Sequence, residues 1–187
     1  MNKENLIQRL DAVHVEICEL ADQLGSEFWR LKPEPNGWNF EQIVSHLDKT
    51  TRSYRETILQ VKCGTYPTPV TRWVPGYASL MTNLLKKALS PKNTKKSKTF
   101  PIWEPGTPNT DLSFMDAFSV SQRELLDWIR SVTAEDGERL IRSPASGLVT
   151  YTLKDAFEII TIHQERHVIQ ARRLRSLSES VPTHVPE

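Results

Sequence analysis

Cysteine is nearly absent from the 187 residues: Cys18 and Cys63 stand 45 positions apart, with no second sulfur at metal-ligand spacing. That excludes a disulfide framework and a cysteine-based zinc finger, and reduced thiols are expected. Charge of one sign is lacking too, since 24 Lys+Arg face 23 Asp+Glu for a net charge of +1. Binding to nucleic acid or an anionic membrane would therefore need a local patch rather than the whole-molecule field. No window approaches the roughly 20 apolar residues of a membrane span, and none supplies the unbroken apolar core of a signal peptide. A cytoplasmic protein is expected. Glycine is scarce as well, with 7 residues; together with 12 prolines they gather at 33–37, 64–76, 91–108 and 143–147, which read as loops.

Between these loops apolar residues recur at steps of three and four, and period-two stretches are few, so the chain reads as all-helical. The spacing of Leu6, Leu10, Val13, Ile17, Leu20 and Leu24 predicts a first helix over 3–24, stopped by Gly25. A second helix starts from the Asn39 and Gln42 pair, a capping box, and its stripe runs through Phe40, Ile43, Val44, Leu47, Tyr54 and Ile58. A short helix over 77–89 presents Leu80, Leu84, Leu85 and Ala88 on one face, before Pro91. Two more are expected, near 114–132 from Ser113 and Asp116, and from Thr152 and Asp155 to about Leu177. Four long amphipathic helices bury their stripes most simply as a four-helix bundle, with long crossover connections and a short extra helix in the middle one. One domain over 1–187 is expected, with 178–187 as a flexible tail.

His163 and His167 stand four apart in TIHQERHVIQ and fall at the centre of the last helix's core stripe. Two imidazoles facing an interior need their nitrogens satisfied, and metal coordination is one way to do it. Ordinary hydrogen bonding inside a core is the other. His46, on the flank of the second helix's stripe, is the candidate third ligand. Three imidazoles would leave coordination positions open for water or substrate. His14 and His184 are expected to be exposed. HQERH departs from the zinc-protease HExxH because Gln164 stands where the general base would be. Glu165 is expected as a solvated charge paired with a neighbouring Arg, while Asp48 and Glu158 point away from the histidines. The lysines at 86, 87, 92, 95, 96 and 98 lack interleaved aromatics, so a solvated loop is favoured over a nucleic-acid site. Trp73 and Trp103 are read as pocket-mouth residues or loop anchors.

The runs GWNFEQIVSHLDKT and TLKDAFEIITIHQERHVIQARRL, more than 100 residues apart, resemble the DinB-like superfamily, also called the DinB or YfiT type of metal-dependent enzyme. Trp38, Asn39, His46, His163, His167 and Gln170 fill its motif positions. The resemblance implies a four-helix bundle, frequently a homodimer, that binds a divalent ion such as nickel or zinc through His46, His163 and His167. It also implies a transferase or hydrolase acting on a small-molecule substrate, with a low-molecular-weight thiol as cosubstrate in characterised relatives. The competing expectation is a non-catalytic binding or dimerisation module whose histidines are structural.

Overall fold

The structure is a computed structural model that describes residues 1–35, 37–93, 98–105 and 113–178. The chain is mostly helical. Helix α1 spans Lys3–Leu24 and buries all six residues of its predicted stripe. Asn2 opens it by accepting from the Asn5 amide at 3.0 Å. Gly25 closes it at φ 72, where a side chain would be strained. Helix α2 covers Phe40–Arg52, and the capping box forms in full: Asn39 Oδ1 accepts from Gln42 N at 2.8 Å and Gln42 Oε1 from Asn39 N at 3.1 Å.

The second helix does not continue through Ile58 as the apolar stripe suggested. It breaks at Ser53, and a separate helix α3 follows over Arg55–Lys62. Two hydroxyls explain the break, because each spends its proton on a backbone carbonyl: Thr50 Oγ1 on His46 at 2.8 Å and Ser53 Oγ on Thr50 at 2.6 Å. Tyr54 and Ile58 remain buried despite it.

Helix α4, Tyr77–Leu89, lies where it was expected but is rotated. Leu80 and Leu84 are 54% and 52% exposed, whereas Thr82 is buried and Leu85 and Leu89 pack on the core. Its partner sets that rotation, since Asp155 accepts from Thr82 Oγ1 at 3.4 Å and from Lys86 Nζ at 3.2 Å. Two 3-10 turns, Val70–Trp73 and Pro101–Trp103, flank α4.

Helix α5, Phe114–Ser131, starts at Ser113, whose Oγ accepts from the Asp116 amide at 3.1 Å, and α6 is the short Ala134–Glu138. The mostly helical chain carries one small addition that the all-helical reading did not include. Strands β1 (Leu140–Ser143) and β2 (Ser146–Thr152) form an antiparallel hairpin that pairs Ile141 with Tyr151. Both of those side chains are buried in the core, which pulls the ribbon onto the helices. Helix α7, Leu153–Ser178, follows directly. Among the described residues no helix is long and apolar enough to cross a membrane.

Helix α1 packs on α5 and α7, α2 packs on the same two, and α4 rests on α7 and β2. The apolar residues form two clusters along these helices. One holds Leu6, Leu10, Leu125, Ile129, Phe157 and Ile160; the other holds Val13, Ile17, Ile43, Leu47, Phe118 and Val168. A polar layer lies between them, where Gln122 Nε2 donates to Gln164 Oε1 at 2.5 Å and Gln164 Nε2 to Thr51 Oγ1 at 3.3 Å.

Glu165 is not a solvated charge beside a local arginine. Arg9 reaches across from α1, holding Glu165 with Nε at 2.7 Å and Nη2 at 2.8 Å and Glu158 with Nη1 at 2.7 Å. All three side chains are half-buried, and the fork is bidentate. Arg9→Ala is expected to lower stability by about 1–2 kcal/mol, as two carboxylates on one helix face lose their shared cation. Urea midpoints compared with wild type check this; an unchanged midpoint refutes it.

Candidate metal centre

The three histidines come together. His46 projects from the buried face of α2, and His163 and His167, four apart on α7, stand one turn from each other. His163 Nε2 lies 3.1 Å from His46 Nε2 and 3.1 Å from His167 Nε2, and all three ligand atoms fall within 4.8 Å of one another. Among the described residues they are the cluster of His, Cys, Asp and Glu side chains able to hold an ion, and no carboxylate or thiol joins them.

Hydrogen bonding fixes two of the tautomers. His46 Nδ1 lies 2.6 Å from the Trp103 carbonyl, which only accepts, so the proton sits on Nδ1 and Nε2 presents a lone pair. His167 Nδ1 likewise donates to the carboxamide oxygen of Gln170 at 3.0 Å. Two lone pairs are thus aimed at His163 Nε2. With its proton on Nε2, His163 can serve them only as a shared donor, and Nδ1 becomes a buried acceptor without a partner among the described residues. With the proton on Nδ1, three lone pairs meet, and Nδ1–H is then the buried group without a partner among the described residues. A cation at the meeting point answers that arrangement, and bonds of about 2.1 Å from nitrogen to metal imply separations of about 3.0–3.4 Å between ligand nitrogens. The two separations to His163, 3.1 Å each, fall in that range, and the three nitrogens all lie within 4.8 Å of one another.

Burial keeps the rings neutral, the form that ligates. It drops His46 to about 4, with Lys49 adding to the effect and the Trp103 carbonyl opposing it. It drops His167 to about 3, helped by His46, and takes His163 well below its usual value. Trp38 walls the cluster, its ring centroid 4.7 Å from that of His46 and nearly parallel to His167 at 6.0 Å. Three such donors would occupy one side of a coordination sphere and leave the rest available to water or substrate.

Other expected positions sort themselves around this centre. His14 is not exposed: it is half-buried, with Nε2 3.0 Å from Ser119 Oγ, and burial lowers its pKa. His184 lies outside the described residues, as do Lys95, Lys96 and the tail beyond 178. Asp48 pairs with Arg52 at 2.6 Å. Gln164 turns into the polar layer. Cys18 is half-buried with its thiol pushed up by burial, and Cys63 is exposed. Trp73 is 77% exposed, whereas Trp103 packs against the core and reaches the centre through its carbonyl. That carbonyl escaped sequence reasoning, because every residue carries one.

The model of the DinB superfamily matches residues 9–171, a span that includes all three histidines. No curated protein matches the chain. The helical fold, the pairing of one histidine on α2 with two on α7, and this match over most of its length make the chain a member of the DinB superfamily.

Proposed function

We propose that the chain binds one divalent ion, nickel or zinc, through His46, His163 and His167 and uses it in transfer to, or hydrolysis of, a small molecule. The observation that carries the reading is the convergence of three Nε2 atoms, two of them held unprotonated by acceptors on the far side of their rings. A bound divalent ion supplies Lewis acidity and lowers the pKa of a coordinated thiol or water toward neutrality. The protein's own groups hold the donors in place, with Trp103 and Gln170 orienting the rings and Trp38 shielding one side. Among the described residues no carboxylate stands at the cluster as a base, which favours a substrate that brings its own acidic proton, such as a low-molecular-weight thiol acting as cosubstrate.

The same reading takes residues 1–187 as one cytoplasmic DinB-like domain whose α1, α2, α5 and α7 form the four-helix bundle, and which associates as a homodimer. The test uses tag-free protein, stripped of metal and reloaded with Ni2+ or Zn2+, offered thiols and electrophilic acceptors. Metal-dependent thiol consumption is expected, with a rise in melting temperature on loading; ion at 100 times its Kd stabilises by about 2.7 kcal/mol. Identical melting of stripped and loaded protein sinks the proposal and leaves structural histidines.

A further inference from the structure

The Trp103 carbonyl belongs to the long connection between α4 and α5, whose described stretch 98–105 straps across α2. Three hydrogen bonds pin this strap: His46 Nδ1 to the Trp103 carbonyl at 2.6 Å, Lys49 Nζ to the Glu104 carbonyl at 2.9 Å, and Trp103 Nε1 to Ser53 Oγ at 3.0 Å. Positions 46, 49 and 53 are spaced by three and four, so the strap lies along one side of α2. The contacts also close a circuit. Trp103 donates to Ser53, Ser53 donates to the Thr50 carbonyl, Thr50 donates to the His46 carbonyl, and the His46 ring donates back to Trp103. Ser53, at the break between α2 and α3, thus accepts from Trp103 and donates to Thr50.

We infer that Trp103 is a positioning residue for His46 and that Ser53 is its latch, so that the seating of the strap regulates how tightly the centre holds its ion. The inference rests on the metal reading above. A neutral imidazole carries its proton on either nitrogen, and the choice follows the partner available. With the strap seated, the carbonyl claims Nδ1–H and leaves Nε2 bare toward His163 and His167. With the strap lifted, Nδ1 becomes a buried donor without an acceptor, and the tautomer protonated on Nε2 gains ground. That tautomer cannot ligate from the side facing the cluster. Coupling of this kind is reciprocal, so a bound ion must also hold the strap down.

Co2+ titration of metal-stripped protein, followed by its visible bands, tests this together with hydrogen exchange at the Trp103 and Glu104 amides. Ser53→Ala is expected to weaken Co2+ binding about tenfold, the usual effect of losing a partner behind a ligand. It should also alter the cobalt spectrum, while Ser53→Thr, which keeps the hydroxyl, restores both. Wild-type protein should exchange the two amides more slowly with Co2+ bound. Trp103→Phe, which keeps the carbonyl but loses the indole N–H, should weaken binding in the same direction and decides the matter if Ser53→Ala does not fold. Wild-type affinity and spectrum in a folded latch variant overturn this inference alone. Failure of the wild-type protein to take up Co2+ overturns it together with the metal reading.

Discussion

Replacing His163 by alanine is expected to strip the protein of its ion, lowering affinity by more than about 100-fold, beyond what loss of an outer partner typically costs. Both 3.1 Å contacts run to this residue, so its removal leaves His46 and His167 as a two-donor remnant without its central member. The metal-free protein should lose about 1–3 kcal/mol of stability, because His163 Nε2–H is the shared donor to His46 and His167 and its removal leaves their buried lone pairs without that partner. The signature is therefore metal content by elemental analysis that falls from about one ion per chain to near zero in a variant that still folds. His14→Ala, on α1 and hydrogen-bonded to Ser119, should keep its full ion. Equal metal in wild type and folded His163→Ala counts against the assignment.

Acidification should destabilise the metal-free protein steeply, starting near pH 6.5. The folded-state pKa values of His46 and His167 are about 4 and about 3, below the 6.5 of an exposed imidazole, so the unfolded chain takes up protons first. Stability is full above pH 6.5 and falls as the pH drops toward 4. For His46 alone the gap amounts to roughly 3 kcal/mol, a large share of the 5–15 kcal/mol that holds a typical domain together. Urea midpoints at pH 7, 6, 5 and 4.5 should decline in order, and His46→Gln should flatten the profile. Saturating Zn2+ should carry the decline to lower pH, since ion and protons compete for the same nitrogens. Equal midpoints from pH 7 to 4.5 refute the neutral, buried state of the rings.

Much of the architecture is legible in the amino-acid order where one face of a helix must be apolar and its ends must be capped. The stripe of α1, the capping box of Asn39 and Gln42, and the starts of α5 and α7 at Ser113 and Thr152 are local facts, and the structure reproduces them. What escaped depended on partners far along the chain. The face that α4 buries is chosen by Asp155, more than 60 residues away, against the preference of Leu80 and Leu84 for the interior. The hairpin over 140–152 is short and half exposed, and its turn through Pro144 and Ala145 reads as loop; only the burial of Ile141 and Tyr151 reveals its purpose. At the centre, the spacing of His163 and His167 announced a shared face, and His46 followed from its place on α2. The groups that orient those rings were less visible: Gln170 sits in a recognisable run, but a main-chain carbonyl at Trp103 has no signature in the alphabet.

The belt of amides and hydroxyls between the two apolar clusters works as a ruler. Sliding α7 by one turn, about 5.4 Å, would still match leucines with valines, so greasy contacts alone tolerate the wrong alignment. It would not match Gln164 with Gln122 and Thr51, and a lone carboxamide sealed among hydrocarbons costs several kcal/mol. The belt penalises slippage, and because Gln164 is the immediate neighbour of His163, the register it enforces is the one that brings His163 level with His46.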